Sequence, residues 1–585
     1  MDMLISTRKI SVENALFACA LLLALGIRFI HLGDLPLTDG EARLALQALQ
    51  IAHGSRPLLG TQPLYQVLTA AGFFLFGASN FMARFWPALS GSLLVLAPAS
   101  FQKFLGRKST VILAFLLAFE PGSWAMSRQA GSLMLAASLL WMCLAAWQSK
   151  HNRLAGILAG LALLGGPNAW FGLLGLGLAL LLYRQMTRRK TNTDKNVDQE
   201  EIPDVGQDII PVSNFWRTMV YWGIGTLLLV GTGLLFVPNG LSAWAGSLVA
   251  FLGNWKTVPS VSAGTILAAI LFYNPLVLAF GLTGIIRGII QGKRDFILPW
   301  LMALAALVLV LLYPARQTAD LVWVMIPLGG LAAMEMGRTL TLPDQYRAEV
   351  TLTVFLIFLF SVFAWLDVIG LPSSVGNPTL IRSRYILLAG SLALLAFSLI
   401  LVALTWETKT VLHGMSWSGL IVLGLFSLAT GVGAAGLRQP PTAELWQPQG
   451  RFNQAALLQK TMNELSSWNH GEDRDLGITL LSEVNSPAVL WELRDWPVTV
   501  VNQLDATSTP DLILTLPGTQ VKLASVYKGE NFVLRETPSW NSLSSDGWLT
   551  WVAFRRIQVQ KEMMVLWARD DLFVNTSQSP APSNP

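Results

Sequence analysis

The chain has 585 residues, enough for several soluble domains, yet 53% of them are hydrophobic and 13% charged, with a mean hydropathy of +0.51. Apolar runs near the ~20 residues that cross a bilayer recur along it, which excludes a purely soluble protein. The formal net charge of +5 sits mostly in short loops between apolar runs rather than on an aromatic-laced face, which excludes nucleic-acid binding; Cys19 and Cys143 both fall inside apolar segments, which excludes a disulfide framework or a cysteine metal site.

In chain order, about thirteen membrane spans are expected: 12–31, 81–102, 110–125, 131–148, 153–166, 168–184, 215–237, 263–287, 295–313, 320–337, 350–370, 385–405 and 415–436. Arg8 and Lys9 precede the first run, which is long for a signal peptide and is taken as an uncleaved span. With the N-terminus inside, alternate loops carry Lys103, Arg107 and Lys108, then Lys150 and Arg153, then Arg184, Arg188, Arg189 and Lys190, then Arg287, Lys293 and Arg294, then Arg338 and Arg347. The opposite loops are poorer in base, with Arg382 and Arg384 as a local exception. This positive-inside pattern places the loop after the first span, and everything after Gly436, outside.

That first external loop, 33–80, contains PLTDGEARLALQALQIAHGSRP. Thr38-Asp39-Gly40-Glu41 has the T-x-x-E spacing of a helix capping box, and carboxylates in a first turn favour the helix dipole. The helix that follows carries Arg43, Gln47 and Gln50 on one face and Ala42, Ala45, Leu49 and Ala52 on another, with Gly54 suited to its end. Such a helix is long enough to lie in the interface and too short to cross, and taken alone the two acids are best explained as its cap. A second short helix over 64–76 and a turn at Gly77 lead into the second span.

Further along, 186–212 is charged and lacks apolar periodicity, as expected of a disordered cytoplasmic linker. Trp244 and Trp255 mark an interfacial helix after Pro238. Gly175-Leu176-Gly177 and Gly431-Val432-Gly433 lie inside apolar spans, where small residues serve helix packing rather than phosphate binding. From Leu437 the pattern becomes that of a soluble α/β unit, 437–575, with a helix at 457–468 and strands at 477–481, 498–501, 511–516 and 521–527, before a disordered tail at 576–585. Arg494 within AVLWELRDWPV suits sugar stacking, or equally a core and its surface.

Asp39-Gly40-Glu41-Ala42, then Gln62-Pro63-Leu64-Tyr65, then Phe76-Gly77 with Arg84, and Ser127-Arg128 later, form an ordered set. On these residues the chain resembles the polytopic C-type glycosyltransferases, the family of protein O-mannosyltransferases and lipid A aminoarabinose transferases, as a bacterial branch of it. The likeness is carried by motifs over about residues 12–150 and by topology alone to about 436. Three departures stand out: Gly40 splits the family's adjacent acids, Gln62 replaces a lysine, and the second external acid falls on Leu133 beside Ser132.

The resemblance implies an α-helical membrane protein of C-type fold that moves a sugar from a polyprenyl-phosphate donor to a protein or lipid acceptor outside the bacterial cytoplasmic membrane. It also implies a carboxylate base, a cation for the departing phosphate and an apolar groove for the prenyl chain. Asp39 is the preferred base and Glu41 the secondary or structural acid, both wet and ionised with carboxylate pKa values near ~4. Gln62 and Tyr65 fall to substrate binding. Arg316, at the outer end of two adjoining spans, and Arg128 are the phosphate candidates, each set against snorkelling to headgroups. Asp320 needs a partner or a task near the start of its span, and Arg316 is the nearest cation. No cofactor is called for, and the loss of the second acid at Leu133 weakens the case for a divalent metal. The alternative is a non-catalytic scaffold or a lipid or sugar translocator that keeps the fold.

Overall fold

The computed structural model describes residues 11–55, 59–194, 212–292, 295–340, 347–374, 377–406, 408–439, 442–447, 450–470, 474–519 and 523–573. The expected tail, and most of the expected linker, lie outside these residues; the start of the linker is corrected, because the helix Pro167–Asp194 runs on through 186–194.

The chain is mainly helical. Seven described helices are long and apolar enough to cross a membrane, or nine if each of two sharply bent pairs counts as one span. Leu133–Gln148, Asn152–Leu163 and Ile297–Leu312 fall on three more of the expected segments but are shorter, so length and composition do not reach thirteen. The segment Thr318–Thr339 is 94% buried and forms the centre of the bundle, whereas Arg347–Ser373 and Thr379–Thr405 are 6% and 11% buried and lie at its edge. They pack on each other and on Thr408–Ala434 and leave most of their apolar side chains at least partly exposed, as helices that meet lipid do.

The two bends have local causes. Arg107–Phe119 turns by 53° into Pro121–Ser127, because Pro121 has no N–H to continue the ladder. The Glu120 carboxylate accepts from the N–H groups of Gly122 and Ser123, and the Arg28 guanidinium donates to the freed carbonyls of Leu117 and Ala118, each at 3.0 Å. Four of the backbone groups released by the break are thus met by side chains, as a buried break favours. Ala263–Tyr273 turns by 94° into Pro275–Gln291 at Asn274-Pro275, where Pro275 likewise has no N–H to continue the ladder.

The C-terminal part holds a five-stranded mixed sheet in the order β2-β1-β3-β5-β4. The strands are β1 (Ile478–Leu481), β2 (Val498–Val501), β3 (Leu512–Thr515), β4 (Tyr527–Pro538) and β5 (Val559–Arg569). β1 pairs in parallel with β2 and β3, and β5 runs antiparallel to β3 and β4. The middle strands are apolar and buried, as a covered parallel sheet demands, and pack against the helix Ala455–His470. Three of the expected strands fall on β1 to β3. The fourth, 521–527, is corrected: 523–526 form a loop and the strand begins at Tyr527. β4 and β5 went unseen because they carry charges on both faces and are exposed in unbroken runs over 528–531 and 559–562, which erases the alternation that marks a half-buried strand.

Candidate functional site

The loop after the first helix folds as its sequence requires. Thr38 caps the helix Asp39–Ala52: its hydroxyl accepts from Glu41 N, and the Glu41 carboxylate accepts from Thr38 N at 3.0 Å. The expected second short helix is Pro63–Phe76, and the expected helix near Trp244 is Gly240–Gly253.

Glu41 is not wet, a correction to the expectation above. Its side chain is 5% exposed and faces Arg84, itself 2% exposed. Arg84 Nε donates to Oε1 at 2.9 Å and Nη2 to Oε2 at 3.0 Å, and Ala130 N adds 2.8 Å to Oε1. The remaining Arg84 protons go to the carbonyls of Leu32, Leu35 and Pro36, so the pair nails the loop before the helix to the helix Asn80–Leu93. Burial alone would raise the Glu41 carboxyl, but the charge and hydrogen bonds of Arg84, with help from Arg451 and Thr38 N–H, outweigh it and hold it at about 2.

Asp39 faces the other way, toward the C-terminal sheet. Its Oδ1 accepts from Ala488 N at 3.1 Å, at the start of the helix Pro487–Glu492, and its Oδ2 meets Arg535 of β4. Both side chains are more than a quarter exposed. Nearby, Trp491 donates to Asn80 Oδ1 at 2.7 Å and stacks on Phe73, while Arg494 lies 4.5 Å over the Trp491 ring. Of the two expected uses of Arg494, the structure shows it engaged in this seam, donating to Trp491 O.

The other expected residues separate into two groups. Gln62 Oε1 accepts from Ser132 N at 2.9 Å, tying the two helix starts together. Tyr65 is fully buried and donates to Ala83 O. Arg128 is buried, and its guanidinium donates to the carbonyls of Arg28, Ile30, His31 and Ala435, closing the ends of two helices. Arg316 sits apart, donating to Val261 O and Leu311 O, and Asp320 accepts from Gln317 N in a capping turn. Among the described residues no ion pair joins Arg316 to Asp320, which corrects that pairing. The two groups meet through 444–446: Gln129 donates to Trp446 O, and Thr318 to Leu445 O. Among the described residues no three His, Cys, Asp or Glu side chains converge.

Between the helices lies an apolar cavity of about 210 Å³, lined by Leu94, Phe101, Leu117, Trp141, Leu298 and Gly330 among others. A narrower one shares Trp141, Leu144, Leu176, Met302 and Pro327 with it and continues to Phe171 and Trp323. Gly172 makes room for that end, since a Cβ there would stand 2.2 Å from the Trp323 ring. Phe171 packs on Tyr313, three residues before Arg316, and Trp323 follows Asp320 by three. The narrower cavity thus ends at residues that adjoin the 313–320 stretch, Phe171 through its packing on Tyr313 and Trp323 through the chain.

Arg535 and Arg451, which complete the polar seam, were not foreseen from sequence. They reach the motif across more than four hundred residues, and no local spacing signals such a contact.

No protein-family profile matches the sequence, and no curated protein does. Solved structures do. ArnT from Cupriavidus metallidurans bound to undecaprenyl phosphate aligns at 15% identity over 94% of this chain and 97% of its own, with a TM-score of 0.53. The same protein in its apo state aligns at 14% over 95% and 98%, also at 0.53. An oligosaccharyltransferase from Archaeoglobus fulgidus, tethered to an acceptor peptide, aligns at 12% over 83% of this chain and 63% of its own, with a TM-score of 0.36. The likeness to ArnT spans nearly the whole of both chains, and the fold is that of the C-type glycosyltransferases.

Proposed function

We propose that the chain is a membrane glycosyltransferase that takes a sugar from a polyprenyl-phosphate donor and passes it to an acceptor on the outer face of the bacterial cytoplasmic membrane. The observation that carries this is the pair of adjoining apolar cavities among the helices, whose lining residues Phe171 and Trp323 adjoin the stretch that bears Arg316 and Asp320. Cavities with so little polar lining suit a prenyl chain and not a free sugar. ArnT, whose fold this is, has been solved with undecaprenyl phosphate.

In this reading residues 1–436 form the membrane unit, with the N-terminus inside, and 437–575 form an outer α/β unit that closes over the first external loop. Asp39 is the general base for the acceptor hydroxyl, and Glu41, locked by Arg84, fixes the loop that presents it. The sugar leaves the donor phosphate as the acceptor oxygen attacks, and the free polyprenyl phosphate remains in the cavities. Arg316 stands where a donor phosphate emerges, with Nη2 free of a described partner, while Arg128 already spends its donors on four carbonyls. Gln62 and Tyr65 shape the floor of the loop through Ser132 and Ala83.

A non-catalytic role is the second reading, and one observation favours it: both acids are already paired, Asp39 with Arg535 and Glu41 with Arg84. Photolabelling with a diazirine-bearing polyprenyl phosphate tests the cavities first. Label on Trp141, Leu176 or Met302, competed by unlabelled polyprenyl phosphate, supports the transferase reading, and label confined to the edge helices Arg347–Ser373 and Pro378–Thr405 counts against it.

A further inference from the structure

The seam between the first loop and the C-terminal sheet holds four arginines, three of them met by a partner. Arg84 is met by Glu41, Arg535 by Asp39 and Glu562, and Arg128 by four carbonyls. Arg451 is different.

Its backbone is held on both sides, bridging antiparallel to Thr38 at the start of the acid motif and to Glu536 of β4. Gly450 before it is required: a Cβ there would stand 2.3 Å from Cγ of Arg535. Its Nη1 reaches to within 3.6 Å of where a Cβ on Gly436 would stand. The guanidinium thus lies inside the seam, in the fields of Glu41, Arg84 and Arg128. It makes no hydrogen bond and no ion pair among the described residues, and its Nε is buried without a partner. Every other described arginine that is not exposed has one. Burial and the neighbouring Arg84 push its pKa down to about 10, which leaves it charged at neutral pH. A partly buried cation without a partner is costly, and such a cost persists where the group has a task.

We propose that Arg451 binds an oxyanion, the oxygens of a phosphate ester, at the seam between the acid motif and the C-terminal sheet. The proposal rests on the transferase reading and adds to it, besides Arg316, a second phosphate contact from the C-terminal part of the chain. Arginine suits this, since its planar fork takes two phosphate oxygens at once. Two sources share the chemistry: the phosphate of the donor lipid, or a phosphate on the acceptor.

The test is equilibrium binding to the full chain in lipid nanodiscs, read by thermal unfolding and tryptophan fluorescence. The probes are undecaprenyl phosphate, inorganic phosphate and a phosphorylated glycolipid. Wild type is expected to bind at least one phosphate probe. Arg451→Met is expected to bind it at least tenfold more weakly while unfolding, without ligand, at the same or a higher temperature, because a burdensome charge has gone. Arg451→Lys, which keeps the charge and loses the fork, is expected to fall between and to serve where the methionine variant does not fold. The tighter of the lipid and glycolipid probes identifies the source. Equal affinity in wild type and variants overturns the proposal, as does the absence of phosphate binding to wild type. Turnover is not used, so an inactive protein that still loses phosphate with Arg451 counts against the transferase reading alone.

Discussion

Arg84 and Glu41 meet through two parallel hydrogen bonds, 2.9 and 3.0 Å, at a point where neither touches solvent appreciably. The pair therefore behaves as one structural unit. Removing either partner strands the other charge in a dry site, at a cost of about 3–5 kcal/mol. Glu41→Gln and Arg84→Met are each expected to lower the unfolding temperature markedly, and the double variant to lose much less than the sum of the two. A double variant that loses the full sum would show that the two residues act independently.

Acid should expose the same pair. The Glu41 carboxyl is held at about 2, below its ordinary value near 4.5. A depressed carboxylate adds stability that is complete above the unfolded pKa and is lost as pH falls toward the folded one. The expected window is thus from about pH 4.5 down to about pH 2, with a loss of about 3 kcal/mol across it. Urea unfolding of wild type and Glu41→Gln checks this: wild type should lose more stability than the variant over that range, and parallel curves would contradict the assignment.

Asp39 and Arg535 form a different kind of contact, since both side chains are more than a quarter exposed. An ion pair of this exposure is worth about 1 kcal/mol or less. Arg535→Gln should leave the global unfolding temperature nearly unchanged but raise hydrogen exchange across Pro487–Glu492 and β4, because it loosens the seam between the sheet and the first loop. Unchanged exchange there would mean that Trp491 and its contacts hold the seam without the pair.

The larger cavity gives a substitution that separates packing from ligand binding. Gly330 lines it, and a Cβ at that position meets nothing within 4 Å. Gly330→Leu removes a flexible glycine from the interior of the helix Val322–Thr339, which favours the fold by about 0.8 kcal/mol, and fills space a lipid chain would need. Unfolding should move up or stay level while donor-lipid affinity falls several-fold. A stable variant with undiminished affinity would place the lipid elsewhere.

Much of the helical layout was legible in the sequence because apolar length is a direct physical requirement of the bilayer. The capping box at Thr38 and Glu41 was legible too, since both of its hydrogen bonds are local. What the sequence hid is where the freed charges go. Arg128 read as a free cation near a helix end, and only the assembled bundle shows Ala435 and three carbonyls after the first helix closing round it. Glu41 read as wet because nothing in its neighbourhood announces Arg84, forty-three residues on, as its partner. Asp39 read as unpaired for a like reason, its partner lying in a strand too charged to be recognised.

The central claim is that the acid motif is the working end of a transferase and not merely a helix start. Its most direct measurement is the release of free polyprenyl phosphate from a panel of polyprenyl-phosphate sugars, in membranes carrying wild type, Asp39→Asn and Arg535→Gln. The account predicts release by wild type with at least one donor, a loss of about a hundredfold or more in Asp39→Asn with the fold intact, and retained release in Arg535→Gln. Release that is equal in wild type and Asp39→Asn would contradict it, and would leave Asp39 as a latch between the loop and the sheet.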